Sequence, residues 1–260
     1  MTFTPRKELR YEKRDRKAWL TLNRPEQMNA LNTELRLAIN EAIHEGERDD
    51  DVLVFIIIGE GGRAFCAGAD LKEMSRRDAA GHVGVATVTE DAVATCGKPV
   101  IAAIDGYCLA GGLELSLRCD IRIATEKSTF GLPEPRRSLL AGYGLHNLSR
   151  MIPLGEALHI QLTGAPITSQ RAYDIGLIQR RVTDRAALIK EADAVADEIC
   201  LCAPLAVKAI KQIVKTGRNV PVEYSVKFAE PIHTLINGTE DRLEGPKAFA
   251  EKRKPNWKMK

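Results

Sequence analysis

Aromatic side chains are scarce: they make up 5% of the 260 residues, with two tryptophans. Readers of single-stranded nucleic acid stack bases on aromatic platforms, so that class gains no support. Six cysteines occur (Cys66, Cys96, Cys108, Cys119, Cys200 and Cys202), with no C-x-x-C pair, and several sit inside apolar segments. They read as small buried hydrophobes in a reducing compartment, not as a disulfide framework. The histidines (His44, His82, His146, His159 and His233) lack ligand spacing, so no metal is expected. Neither G-x-G-x-x-G nor a P-loop appears, which gives a dinucleotide or nucleotide-triphosphate site little weight. No apolar run approaches the roughly 20 residues of a membrane span, and the first residues lack the apolar centre of a signal peptide. A cytoplasmic protein without a membrane partner is expected. Charge of one sign is also lacking, since the net charge is +3; Lys252, Arg253, Lys254, Lys258 and Lys260 gather at the end as a solvated tail.

What is present describes an ordinary globular chain: 44% hydrophobic and 28% charged, long enough for one large domain or a domain with an appendage. Leu9 to Leu22 alternates polar and apolar residues around a charged middle and predicts two strands joined by a tight turn. Asn32 or Thr33 caps a helix with Leu35, Ile39, Ala42 and Ile43 on one face, ending near Gly46. Val52 to Ile58 has no polar side and predicts a strand buried on both faces; Val100 to Ile104 predicts another. A helix is expected around Val83 to Thr95, and short strands at Ile121 to Ala124, Thr129 to Leu132 and Gly176 to Val182. Strands alternating with helices, each strand entering a glycine-bearing loop, imply an α/β fold with a parallel sheet. Beyond about Ser169 helices dominate: Arg185 to Leu201, Pro204 to Thr216, Val222 to Ile236 and Glu240 to Lys252, with a kink or break expected at Pro231.

Three loops carry chemistry in combination. AFCAGADLK (64–72) follows one buried strand, LAGGLE (109–114) the next, and FGLPEP (130–135) holds Glu134 between two prolines. Alone, each is a glycine turn, a helix start or a rigid loop, and Glu114 is an acid complementing its own helix dipole. Together, the loops bring the backbone amides of Ala69 and Gly111 near one another. Two aimed donors are what an enolate oxygen needs as charge builds on a thioester carbonyl. Glu114 and Glu134 then face the same spot and can divide acid and base work.

With these segments the chain resembles the crotonase superfamily, the enoyl-CoA hydratase/isomerase proteins. The resemblance runs over nearly the whole sequence, through LNRPEQMNALN, AFCAGADLKEM, KPVIAAIDGYCLAGGLELSLRCDIRIA, FGLPEP and LTGAPITSQRAYDIGLI. The ending GTEDRLEGPKAFAEKRKPNW is similar to that of carnitinyl-CoA dehydratases. The resemblance implies a spiral of ββα turns over residues 1–200 and a helical trimerisation region over 201–260, with trimers or pairs of trimers. It implies Ala69 and Gly111 as the oxyanion hole and Glu114 and Glu134 as the catalytic pair. It places Ala67, Asp70, Leu71 and Lys72 along the acyl-CoA site and Met28 and Ala30 beside the adenine end. Phe249 and Lys252 would lie near the nucleotide part of coenzyme A, including that of an adjoining subunit. No cofactor is implied, coenzyme A being part of the substrate.

The expected reaction is reversible addition of water to a trans-2-enoyl-CoA. The rival readings are carnitinyl-CoA-like dehydration, double-bond isomerisation, acyl-CoA hydrolysis or cleavage and, from a pI near 8.5 and the basic tail alone, a nonenzymatic or RNA-binding role. Both glutamates together favour hydration or dehydration, which needs a water held on two sides. SLLAGYGLHNLSR (138–150) departs from the family: Ala141 stands where proline is usual, one glycine of a pair is missing, and Asn147 replaces an arginine. Ala110 replaces the first glycine of a common triplet. Tyr143 is expected to pack the start of a helix.

Overall fold

A computed structural model describes residues 6–81 and 91–260 of the chain. β1 (Leu9–Arg14) and β2 (Lys17–Leu22) form the expected hairpin, its turn made by Asp15 and Arg16 at φ 48° and 62°. Left-handed dihedrals at both turn residues match the twist of the paired strands. α1 (Thr33–Arg48) starts at Asn32, whose side chain accepts the Leu35 amide at 2.9 Å. Gly46, read as a terminator, lies inside α1: a Cβ there would sit 2.5 Å from the Phe55 ring, so the glycine serves close packing.

β3 (Val54–Gly59) is buried throughout and leads to β4 (Ala64–Cys66), α2 (Leu71–Ala79) and α3 (Ala92–Thr95). Most of the helix expected over Val83 to Thr95 lies outside the described residues. β5 (Val100–Ile104), β6 (Tyr107–Leu109) and α4 (Gly111–Arg118) repeat the pattern, followed by β7 (Ile121–Thr125) and β8 (Thr129–Gly131). Then come α5 (Tyr143–Met151), α6 (Leu154–Thr163), β9 (Ile167–Thr168), α7 (Ser169–Asp174) and β10 (Arg180–Val182). Only the last three residues of the stretch expected from Gly176 are strand; Ile178 instead donates its amide to Ala172. α8 (Arg185–Cys200), α9 (Pro204–Gly217), α10 (Val222–Asn237) and α11 (Glu240–Ala250) complete the chain.

Two sheets result, in the orders β1-β2-β3-β5-β7-β10 and β4-β6-β8-β9. The larger is parallel apart from the β1–β2 hairpin, and β4, β6 and β8 are parallel in the smaller. Three successive turns, β3–β4, β5–β6 and β7–β8, each place one strand in either sheet before the next helix. Tight corners make this possible: at Gly106 (φ +80°) a Cβ would meet the Arg63 carbonyl oxygen at 2.1 Å. The larger sheet is covered on both sides. Phe55 and Ile57 face the cluster holding α1 and α4, while Val54, Ile56 and Ile58 pack with Leu188, Ala192 and Ala196 of α8.

α10 runs unbroken through Pro231. Proline's φ suits a helix, and the carbonyl it leaves unbonded belongs to exposed Lys227, where water serves. Cys66, Cys96, Cys108 and Cys119 are buried as expected, whereas Cys200 is half-buried and Cys202 exposed, because the chain leaves the core at the end of α8. Among the described residues no helix is long and apolar enough to cross a membrane.

Candidate active site

Two loops are strapped together ahead of α2. Met28 and Asn29 both adopt left-handed dihedrals, and the buried Asn29 amide group donates to the carbonyls of Glu60 and Ala64 at 3.0 and 2.8 Å. The chain of Met28 to Leu31 then lies beside Ala67 to Asp70, through Ala67 N–H to Met28, Leu31 N–H to Gly68 and Asp70 N–H to Leu31. Arg24 closes the strap, donating to the Ala30 carbonyl and, at 2.8 Å, to Asp70. Asp70 also caps α2, accepting the amides of Lys72 and Glu73 at 3.1 and 3.2 Å. Burial would push the Asp70 carboxyl up, but the Arg24 guanidinium and these amides hold it below its ordinary value. Met28, Ala30, Ala67, Ala69, Asp70, Leu71 and Lys72 thus belong to one continuous structure.

A cavity of about 590 Å³ opens beside this strap, lined by Lys7, Arg24, Lys72 and Arg76 among others. Lys7, Arg24 and Arg76 were not legible as a group, because they are scattered over 70 positions and converge only through the fold.

The parallel bridge between Leu31 and Ala69 uses the Gly68 carbonyl and the Asp70 amide, so the Ala69 amide points away from it. Gly68, at φ +109°, lets this loop approach the start of α4: a Cβ on Gly111 would stand 3.6 Å from the Ala69 nitrogen. Gly111 begins α4, where amides lack helical acceptors. Among the described residues neither the Ala69 nor the Gly111 amide has an acceptor. Two free donors are therefore adjacent at a helix N-terminus, a place suited to developing negative charge.

One turn further along α4, half-buried Glu114 accepts the Gly144 amide at 2.8 Å. Gly142 supplies no side-chain cap to α5, so a carboxylate from α4 caps it. Glu134 is half-buried in the short 3₁₀ turn Glu134–Arg137, and its Oε2 is buried without a partner among the described residues. Burial raises the Glu134 carboxyl above its ordinary value, and the neighbouring charge of Glu114 raises it further. The two carboxyl groups are thus near enough for the charge of one to raise the proton affinity of the other.

Tyr143 is the first residue of α5, its ring 4.3 Å from the Arg118 guanidinium, which is paired with Asp91. It lines a separate cavity of about 700 Å³ between α4, α5 and α9. Asn147 donates to the Tyr143 carbonyl at 3.0 Å and so stays local to α5. Phe249 and Lys252 stand apart: Phe249 is 87% exposed on α11. Contacts of that segment run to the chain end, through Asp241 with the amides of Lys258 and Met259. Among the described residues no group of three or more His, Cys, Asp or Glu side chains is arranged to hold a metal ion; His82 lies outside them.

A family profile described as Enoyl-CoA hydratase/isomerase matches residues 13–260. The chain is 37% identical over 247 residues to an (E)-benzylidenesuccinyl-CoA hydratase of Thauera aromatica, covering 93% of this chain and 95% of that protein. It is 34% identical over 248 residues to a carnitinyl-CoA dehydratase of Salmonella typhi, covering 92% and 94%. An enoyl-CoA hydratase from Mycobacterium tuberculosis H37Rv has a similar structure, with a TM-score of 0.91 at 35% identity over 98% of this chain and 100% of that one.

Proposed function

The chain belongs to the enoyl-CoA hydratase/isomerase family, and from that premise we propose that it is a hydratase that adds water reversibly to a trans-2-enoyl-CoA. What supports this reading is the adjacency of the free amides of Ala69 and Gly111, with half-buried Glu114 one turn further along α4 and half-buried Glu134 in its proline-bounded turn.

In this proposal the thioester oxygen accepts the amides of Ala69 and Gly111. These donors stabilise the enolate charge; losing one such donor elsewhere costs about 10²–10³ in rate. Glu114 and Glu134 hold one water between them. Glu114 takes a proton from that water as its oxygen bonds to the β-carbon, and Glu134 gives its proton to the α-carbon. The raised proton affinity of Glu134 supports its part as the acid. In the reverse direction the same groups remove water. The loop carrying Met28 and Ala30, with Asp70, Leu71 and Lys72, would bind the coenzyme A portion.

We further propose assembly as trimers or pairs of trimers through the helical residues 201–260, with Phe249 and Lys252 serving a neighbouring subunit. Large apolar residues left exposed on α10 and α11, among them Val222, Leu235, Leu243 and Phe249, support this. A reducing cytoplasm fits the six free cysteines.

The test is to incubate the purified chain with a panel of enoyl-CoA thioesters, linear, branched, aromatic and carnitinyl, and follow the conjugated enoyl absorbance. Loss of absorbance with formation of the 3-hydroxyacyl product is expected. Shifted double bonds or released free coenzyme A in its place would replace hydration with isomerisation or hydrolysis.

A further inference from the structure

Glu114 receives the Gly144 amide from the first turn of α5, and that turn is held to α4 at a second point. The turn lies close over the carboxyl group. A Cβ on Gly142 would stand 3.6 Å from Oε1 of Glu114 and 3.9 Å from Oε2, and one on Gly144 would stand 3.4 Å from its Cγ. Of Gly142, Tyr143 and Gly144 only the tyrosine carries a side chain, and a glycine on either side leaves the backbone free to turn. Gly142 brings no cap of its own to α5. The side chain that ties this turn to α4 is therefore Tyr143, whose half-buried ring lies 4.3 Å from the Arg118 guanidinium.

Arg118 follows Glu114 by four residues on α4, so the two project from one face of that helix. That face grips α5 twice, Glu114 by the Gly144 amide and Arg118 by the Tyr143 ring. The guanidinium is itself tethered to Asp91, which also caps α3 by accepting the Ala94 amide at 3.2 Å. Behind it, the Arg118 carbonyl accepts Lys215 of α9 at 3.3 Å. A cation over an aromatic ring is attracted by the ring's negative face, more strongly where water is kept away. We propose that Tyr143 is a positioning residue for the reaction: its ring, held by Arg118, keeps the Gly144 amide on Oε1 of Glu114. Resting on the hydratase reading, this clamp leaves the other oxygen of Glu114 aimed at the water. In this role Tyr143 acts through Glu114 and not on the substrate.

The test is steady-state hydration, by the full chain, of the enoyl-CoA in the panel above that the wild type hydrates fastest. Tyr143→Phe keeps the ring face and should stay within about threefold of wild type in kcat. Tyr143→Leu keeps bulk without a ring face, and should lower kcat by about 10- to 100-fold with KM within about twofold, the scale of a misplaced catalytic group. Arg118→Met removes the cation and should give the same loss, and the double variant should be no slower than either single one. Combined with Glu114→Ala, Tyr143→Leu should have no further effect, because the Gly144 amide then has nothing to hold. A purely structural role would lower both backgrounds by the same factor, and that result overturns the inference. So does a Tyr143→Leu that matches Tyr143→Phe, or one whose loss is confined to KM; the hydratase reading survives either. A wild type that hydrates no enoyl-CoA overturns the hydratase reading and this inference with it. Should Tyr143→Leu fail to fold, Arg118→Met in the two Glu114 backgrounds decides by the same criteria.

Discussion

Gly144 donates its amide to Oε1 of Glu114 at 2.8 Å, so a carboxylate on one helix caps the next. The bond fixes one oxygen of Glu114 and leaves the other for a water. Glu114→Gln keeps an acceptor for Gly144 and removes the proposed base. Glu134→Gln keeps shape and removes the proposed acid. Each should lower kcat by about 10²–10⁴ with little change in KM, measured by loss of enoyl absorbance. Glu114→Ala should in addition cost roughly 1 kcal/mol in urea unfolding, the cap of α5 being lost. Near-normal turnover in either glutamine variant removes that residue from the scheme.

Glu134 also predicts a pH signature in stability. Burial, then the Glu114 charge, raises its proton affinity in the folded state. Below the unfolded value of about 4.3 both states are protonated, and whatever this group contributes is fully present. As pH rises through the folded value the group must ionise in an unfavourable place, and that contribution is lost. Glu134→Gln should therefore melt higher than wild type at pH 7–8, by a shift on the order of 1–3 °C, and the gap should close near pH 4. Equal melting temperatures at both pH values would show that the carboxyl feels no such strain. Stability gained where activity is lost is the usual trade at a site of this kind.

How much of this was legible follows from how local each signal is. The apolar run ending at Ile58 declared a strand buried on both faces, because no side of it could meet water. The smaller sheet was harder: Ala64–Cys66, Tyr107–Leu109 and Thr129–Gly131 are three residues each, too short for a period of two to show. Glu114 read alone is an acid at the start of its own helix. Its partner is the start of α5, 30 positions on, and only tertiary packing reveals that. Gly46 misled because a glycine that admits the Phe55 ring looks the same in sequence as one that ends a helix.

Ala110 and Gly112 flank Gly111, the proposed oxyanion donor, and should respond to exchange in opposite senses. Ala110 sits at φ 52° and ψ −129°, a region that suits glycine. Ala110→Gly should stabilise the chain by about 1 kcal/mol. At Gly112 a Cβ would lie 2.0 Å from the Cys66 carbonyl oxygen, which is backbone and cannot swing aside. Gly112→Ala should cost about 3 kcal/mol or more, as overpacking does, and should lower turnover by shifting the Gly111 amide. Urea unfolding checks both signs. A tolerated Gly112→Ala would mean that α4 can move off β4, and with it the idea of a rigidly spaced pair of amides fails.

The last prediction concerns the strap proposed to hold the coenzyme A side of the site. Arg24 bridges two otherwise separate loops, through the Ala30 carbonyl and, at 2.8 Å, through Asp70. Both side chains are mostly buried, at 14% and 12% exposure, so solvent screens the pair little. Asp70→Asn keeps a good cap for α2 but takes away the charge opposite Arg24. The loss should be about 1–3 kcal/mol in stability, the range for a hydrogen bond to a charged group. The Asp70 carboxyl is held below its ordinary value, so its contribution is present above the unfolded value of about 3.9 and fades as pH falls through the folded one. Wild type and Asp70→Asn should therefore differ in melting temperature at pH 7 and converge toward pH 2. With the strap loosened, Met28 and Ala30 lose their fixed place beside Ala67 and Asp70. KM for enoyl-CoA should rise several-fold while kcat changes less, because Glu114 and Glu134 are held by other elements. A fall in kcat with KM unchanged would instead tie Arg24 and Asp70 to the proposed oxyanion amide of Ala69, the residue before Asp70.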